Sequence, residues 1–247
     1  MVTAGANGIG LAIARAFAEN GARVAVCDID EAALETARAA IPGLTALRCD
    51  VSDRAQAGAM VDRAASALGG LDVLVNNAGI GGPTAPLHEM HPGDWDRVLA
   101  VNLTGTFDVT RAAVPHLIAA GAGVILMLSS AAGRFGYPNR SPYAVSKWGL
   151  IGLTRTLSME LGDHAIRVNA IAPGAVDGAR IRRVFQGRAD ATGTPLAEIE
   201  RMSMANQSIK RLVDPAEIGA LAVFLASDAA RSISGQVLPI DGDHQRN

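Results

Sequence analysis

The sequence predicts a single-domain α/β fold, a central parallel sheet doubly wound with helices on both faces. Three observations predict it. Short apolar runs rich in β-branched residues alternate with longer helical stretches throughout the 247 residues. Those runs are apolar at successive positions rather than at every second one, as strands covered on both faces are. Small polar clusters follow the runs directly, and in open α/β sheets ligands bind beyond the carboxyl ends of the strands.

Only Met1–Thr3 precede a glycine turn that begins at Gly5, so the strand feeding it is either unusually short or starts in natural residues upstream. A helix over Ile9–Asn20 is closed by Gly21, and strands follow at Val24–Cys27 and, after Pro42-Gly43, at Leu44–Cys49. Arg54–Leu68 reads as a helix ended by Gly69-Gly70, and Val73–Val75 as the next strand. Asp94–Ala120 reads as one long helix before the strand Val124–Leu128. Tyr143–Leu161 is a helix with Ser141 at its cap and Pro142 in its first turn. After the strand Val168–Ala172, the helix Pro215–Ala226 has the clearest start, with Asp214 to cap, Pro215 first and Glu217 third. Val237–Ile240 is the final strand. Residues 1–247 are expected to form one domain with a substrate-side insertion at about 179–211.

Hydrophobic residues make up 49% and charged residues 19%, which excludes a disordered chain. A formal net charge of −2 argues against nucleic acid, whose binders carry basic stripes. The longest apolar stretch, Ile218–Ala226, is about half a membrane span, and no basic and apolar leader opens the chain. A cytoplasmic protein with no membrane partner is expected. Cys27 and Cys49 are too few for a disulfide framework and lack zinc spacing. Neighbouring strands would bring them together, which leaves a redox pair open beside the simpler reading of small buried hydrophobes in a reducing compartment. His88, His91, His116, His164 and His244 are scattered or sit in loops, and no metal site is expected.

Thr3-Ala4-Gly5-Ala6-Asn7-Gly8-Ile9-Gly10 opens the first helix. Glycines there let the backbone turn tightly and approach a pyrophosphate, which a helix N-terminus attracts. Eighteen residues past Gly10, Asp28 closes a strand, where a carboxylate accepts hydrogen bonds from an adenosine ribose and repels a 2′-phosphate. That arrangement points to NAD rather than NADP. Farther along, Tyr143 and Lys147 share one helix face, and both the ammonium and the helix N-terminus favour the phenolate. A Tyr-x-x-x-Lys pair by itself is usually a solvated face. Its company changes that reading, because Asn76-Asn77-Ala78-Gly79, Ser129-Ser130 and Pro173-Gly174 each follow a strand.

With these motifs in this order, the chain resembles the short-chain dehydrogenase/reductase family from the glycine turn to Asp241-Gly242. The resemblance implies a Rossmann fold and a catalytic set of Asn102, Ser130, Tyr143 and Lys147. Tyr143 is then the general acid/base, and Lys147 lowers its pKa and holds the nicotinamide ribose. Ser130, thirteen residues before Tyr143, bonds the reacting oxygen, and Asn102 holds a water of the proton relay. The resemblance implies cofactor contacts from Gly5, Asn7, Gly8, Ile9 and Gly10, from Asp28 at the ribose and from Asp50 and Val51 at the adenine. Asn77, Ala78 and Gly79 form the ribose wall, and Pro173, Gly174 and Val176 line the nicotinamide, which Tyr143 and Lys147 also reach. It further implies a homotetramer built on the two long helices and the C-terminal segment.

Three positions depart from the family pattern. Ala4 stands where the first glycine of the turn is usual, so a small adjustment of the turn is expected. Gly178 replaces a threonine that contacts the cofactor in many relatives, and Asp243 replaces a second glycine after Asp241-Gly242. Within the insertion, Arg180, Arg182, Arg183 and Arg188 precede its first acid, Asp190, and read either as a solvated helix face or as an anion-binding lid. Trp95, Tyr137 and Trp148 belong to the pocket or to an interface. The expected activity is hydride transfer between NAD(H) and the alcohol or carbonyl of a small sugar, polyol, hydroxy acid or ketone. A catalytically silent NAD-binding regulator or scaffold is the alternative, and it has no need of all four residues of the set.

Overall fold

The structure, a computed structural model, describes residues 1–245. Among them, β1 (Val2–Thr3), β2 (Ala25–Asp28), β3 (Thr45–Arg48), β4 (Val73–Asn76), β5 (Gly123–Leu128), β6 (Ile166–Pro173) and β7 (Val237–Ile240) form one sheet. Every pairing is parallel, in the order β3-β2-β1-β4-β5-β6-β7. The chain builds outward to β3, then returns to lay β4 beside β1, so the topological switch point falls between those two strands. Val2–Thr3 take the central place in the sheet. Val2 pairs with Val26 on one side and with Val75 on the other.

The helices are α1 (Gly8–Glu19), α2 (Glu31–Ala40), α3 (Arg54–Leu68), α4 (Pro92–Leu99), α5 (Gly105–Ala119), α6 (Ser141–Glu160), α7 (Ala179–Thr192), α8 (Leu196–Ser203) and α9 (Pro215–Ala226). Strand residues divide between the two faces with a period of two. Cys27, Ile125 and Met127 pack with α3, α5 and α6, whereas Val26, Leu126 and Leu128 pack with α1, α2 and α9. Helices α7 and α8 stand outside both cores as a cap with its own small cluster of Phe185, Ala189 and Ile199. Cys27 and Cys49 are free and buried.

The structure corrects several sequence expectations. The long helix expected over Asp94–Ala120 begins at Pro92, where His91 caps it by accepting from the Gly93 amide at 3.1 Å. It is then interrupted by a π-helical turn over Ala100–Thr104, whose extra residue swings Asn102 into the interior. Ser141 is not the cap of α6. Arg140 holds that position, its carbonyl accepting the Ala144 amide at 2.9 Å, so the helix opens one residue earlier. Tyr143 stays in the first turn. Helix α2 has no counterpart among the sequence expectations, because Leu34 is its only large apolar residue and no stripe announces it. Asp30 caps it through the Ala33 amide at 3.1 Å.

Candidate active site

The glycine turn sits at the switch point and is tied there by two side chains. Thr3 Oγ1 accepts from the amides of Asn77 and Ala78, both at 2.9 Å. The Asn77 amide returns the tie, donating to the carbonyls of Thr3 and Ala4, each at 3.0 Å. A side chain at Gly10 would stand 2.2 Å from the Ala4 carbonyl, so this position must be glycine for the turn to close. Ala4 itself takes a left-handed φ of 47°. The first-glycine position thus keeps a glycine-like backbone although an alanine fills it, at a cost of about 1–2 kcal/mol. Asn7 at the N-cap of α1 makes no side-chain cap bond, which leaves the first-turn amides of Gly8, Ile9 and Gly10 open to an anion.

Around that turn the strand ends supply polar groups. Asp28 accepts from the Ala6 amide at 3.3 Å and the Asp30 amide at 3.2 Å. The register sets Arg48 beside it, but among the described residues the two form no ion pair. Asp50 holds its own loop, accepting from the Ser52 amide at 2.9 Å, and Val51 is buried. Pro173 ends β6, the Gly174 amide donates to Ile240 at 3.0 Å, and Val176 bridges to Val213. Gly178 has φ 145° and leads straight into α7. Only glycine enters that region readily, so a threonine is excluded here by the backbone as well as absent from the sequence.

The centre of the site is assembled by α6, the π-helical turn and β5. Lys147 is buried and donates to the Leu128 carbonyl at 2.7 Å, while Ser129 Oγ donates to the Lys147 carbonyl at 2.8 Å. Asn102 is fully buried and clamps Ile80, accepting its amide at 2.7 Å and donating to its carbonyl at 2.9 Å and to Ser146 Oγ at 3.0 Å. Ser130 follows β5, accepts the Ala132 amide at 3.1 Å and turns its hydroxyl to the side of the Tyr143 phenol. Lys147 Nζ lies 5.7 Å from the centre of the Tyr143 ring. Burial alone would push the Tyr143 phenol up. Lys147, Arg180, the Ser130 hydroxyl and Arg140 outweigh it and hold the phenol below the ordinary tyrosine range. Burial likewise lowers the Lys147 ammonium, and Arg180 adds to that, against the pull of Tyr143.

All four residues of the expected set therefore meet at one end of the sheet, beside the turn and Gly79, and this juxtaposition fits a dinucleotide. An ammonium has three donors, Lys147 spends one on Leu128, and the space above Gly79 lies 3.3 Å from its nitrogen. Of the four lid arginines only two reach the site. Arg180 donates to the Gly79 carbonyl at 3.2 Å and Arg188 to Tyr137 Oη at 2.7 Å, whereas Arg182 pairs with Asp177 at 3.0 Å and Arg183 is exposed. Tyr137 belongs to the pocket, and Trp148 is half exposed on α6.

Two further groups shape the site, Arg140, which has no sequence signal, and Asp241, whose role its motif does not reveal. Arg140 is buried beside Tyr143, hidden in the sequence by the apparent cap at Ser141. Asp241, buried and paired with Arg134 at 2.9 Å, explains Asp241-Gly242 as a strut of the site, and Asp243 adopts φ 58° while accepting from Ser208. Among the described residues no group of three or more His, Cys, Asp or Glu is arranged to hold a metal ion. Nor is any helix among them long and apolar enough to cross a membrane.

A doubly wound sheet with a glycine turn at its switch point and a phenol of lowered pKa at the same end of the sheet fits a nicotinamide-dependent oxidoreductase acting on alcohol and carbonyl groups. Comparison with known proteins agrees. Residues 3–242 match the family model described as enoyl-(acyl carrier protein) reductase. The chain is 42% identical over 247 residues to cis-4-hydroxycyclohexanecarboxylate dehydrogenase of Sinomonas cyclohexanicum, covering 99% of this chain and 95% of that protein. Among solved structures, NAD+-bound xylitol dehydrogenase superposes with a TM-score of 0.93 at 34% identity, covering 97% of this chain and 95% of that one. Actinorhodin polyketide ketoreductase with NADPH superposes equally well, 0.93 at 32% identity over 98% and 94%. The chain belongs to the short-chain dehydrogenase/reductase family.

Proposed function

We propose that the chain is an NAD-dependent dehydrogenase acting on small hydroxylated molecules, with Tyr143 as its general acid/base. The setting of Tyr143 carries the reading: a half-buried phenol beside Ser130 and faced by cations is held below the ordinary tyrosine range, which suits it to exchange a proton. Bound nicotinamide supplies the hydride acceptor or donor. Ser130 and Tyr143 hold the substrate oxygen between them; in oxidation the Tyr143 phenolate takes the hydroxyl proton, and in reduction the phenol returns it. Lys147, anchored by Leu128, stabilises the phenolate and offers its remaining donors to the cofactor ribose. Asn102 positions the wall at Ile80 and lies on the route by which the proton leaves through water.

The cofactor would lie with its phosphates on Gly5, Asn7, Gly8, Ile9 and Gly10, its adenosine by Asp28, Asp50 and Val51, and its nicotinamide half along Asn77, Ala78, Gly79, Pro173, Gly174 and Val176. Asp28 supports NAD. A 2′-phosphate would meet its carboxylate, and like-charge contact at partly buried range costs on the order of 2–4 kcal/mol, roughly 30-fold or more. The relatives carry either cofactor in their names, so the choice rests on this residue. Exposed Phe107 and Ile118 on α5, with Val145, Trp148 and Met159 on α6, support a homotetramer on those helices, and two free buried thiols suit a reducing, cytoplasmic compartment.

The test is reduced-nicotinamide formation from a panel of alcohols that includes xylitol and cis-4-hydroxycyclohexanecarboxylate, with NAD and with NADP. We expect turnover with kcat/KM at least ~30-fold higher for NAD. Equal efficiency with both cofactors overturns the cofactor assignment. A protein that binds NADH yet oxidises nothing on a broad panel would return the silent scaffold.

A further inference from the structure

Three guanidinium groups converge beside the phenol with no carboxylate to answer them. The Cζ atoms of Arg140 and Arg180 lie 5.6 and 5.7 Å from the centre of the Tyr143 ring. Those of Arg140 and Arg188 lie 5.8 and 5.5 Å from the Tyr137 ring, and the two rings are 6.3 Å apart. Among the described residues none of the three arginines forms an ion pair, and their protein partners are neutral. Arg140 donates to the Gly81 carbonyl at 2.8 Å and to Thr84 Oγ1 at 3.3 Å, but it is only 7% exposed and its Nε has no partner. A buried guanidinium left unpaired is costly, and an anion removes that cost.

Side-chain contacts decide which arginines take part. Ile181, Phe185 and Ala189 form the apolar stripe of α7 that packs toward α8 and Leu212. Arg188 lies beside that stripe and reaches Tyr137, Arg180 reaches the Gly79 carbonyl and the Tyr143 ring from the first turn of α7, and Arg183 is exposed.

We propose that Arg140, Arg180 and Arg188 form a subsite for the carboxylate of a hydroxy-acid or keto-acid substrate whose carbinol or carbonyl end lies at Ser130 and Tyr143. The inference rests on the dehydrogenase reading and narrows its substrates from hydroxylated molecules in general to hydroxy acids. Planar guanidinium forks match the two oxygens of a carboxylate. Tyr137 accepts from Arg188 and keeps its own O–H for the same anion.

The test uses the whole protein saturated with NAD, in two arms. The first compares kcat/KM for cis-4-hydroxycyclohexanecarboxylate with that for its carboxamide, which carries the same hydroxyl and no charge. We expect the acid to be preferred by at least ~30-fold, mainly through KM. Arg188→Gln should cost the acid at least ~10-fold and the amide little, Arg180→Gln should lower both through Tyr143 but cost the acid at least ~10-fold more than the amide, and Arg183→Gln changes neither. The second arm needs no turnover: calorimetric titration with acetate, butyrate and cyclohexanecarboxylate, with cyclohexanecarboxamide as control. At least one carboxylate should bind, and Arg188→Gln should weaken it by at least ~10-fold.

The subsite is overturned if no carboxylate binds the parent better than the amide, or if the preference survives both substitutions. It is also overturned if those substitutions lower NADH affinity and leave the preference intact, which would make the arginines contacts to the cofactor phosphates. Oxidation of xylitol with no carboxylate effect sinks the subsite and leaves the dehydrogenase reading standing. Arginine-dependent carboxylate binding in a protein that oxidises nothing does the reverse.

Discussion

In the floor of the site, at the ends of β4 and β5, most polar side chains meet partners inside the protein; in the cap above it, Arg180 and Arg188 meet only neutral oxygens and no carboxylate. Asn102 makes three hydrogen bonds to Ile80 and Ser146, and Lys147 and Ser129 lock α6 to β5. Arg180 and Arg188 each spend one of five N–H donors on a neutral oxygen of the protein. Most groups of the floor satisfy one another, the buried Asn76 Oδ1 excepted, so the floor fixes where a proton moves. The cap holds unspent charge, so it specifies what is admitted. Losses in the floor should therefore appear in turnover and stability, and losses in the cap in substrate affinity.

The largest expected effect is at Tyr143. Tyr143→Phe removes only the oxygen, so NADH binding and folding should persist while turnover falls by at least ~10²-fold, read by steady-state kinetics beside fluorescence titration. Near-parental turnover in that variant would place the proton elsewhere. Next comes Asn102→Ala, which strands the amide and carbonyl of Ile80 in the interior. We expect a loss of about 3 kcal/mol, seen as a melting temperature lower by roughly 6–12 °C, whereas Arg188→Gln should stay within about 0.5 kcal/mol. Equal losses in both would erase the distinction between floor and cap.

A smaller effect crosses that boundary. Oxidation needs the phenolate, so its rate rises with pH through the Tyr143 pKa, and reduction, which needs the phenol, falls. Arg180 is one of the cations that hold this pKa down, so Arg180→Gln should move both inflections to higher pH. Coincident pH–rate profiles for the two proteins would remove Arg180 from the phenol's electrostatics. The smallest effect concerns Ala4. Ala4→Gly relieves a left-handed alanine at about 1–2 kcal/mol, and the added freedom of the unfolded chain takes back about 0.5–1. A rise of about 1–3 °C in melting temperature is expected, and a fall would mean that the alanine methyl packs better than its backbone suggests.

The frame was largely legible in the sequence because its signals are local. Strands covered on both faces announce themselves by unbroken apolar runs, and Asp214-Pro215-Ala216-Glu217 forms the capping box its letters suggest. Asn102, Ser130, Tyr143 and Lys147 were singled out as a set by the family resemblance, and the fold brings them to one end of the sheet. What stayed hidden depends on contacts distant in sequence or on backbone atoms. The anchor of Lys147 is a main-chain carbonyl, and Asp241 reaches Arg134 across 107 positions. Arg140 sits beside a serine and proline that imitate a helix start, and the tie between Thr3 and Asn77 joins turns 74 residues apart. The choice among the four arginines needed the direction of α7, which periodicity alone does not orient.

The π-helical turn has one more consequence, for the spacing of the chain. In an unbroken α-helix, Val98 and Val109 would lie within about 20° of each other around the axis. The inserted residue offsets them by about a further 100°, so Val98 reaches toward Gly82 while Val109 enters the core with α3. Removing any one residue from 100–104 would restore regular helix and rotate everything on one side of the cut. Either the core stripe of Val109, Ala113 and Leu117 would turn off the sheet, or α4 would turn away from its loop. The site thus depends on a count of residues as much as on their identities: every substitution at Val101 leaves that count intact, and a single deletion there does not.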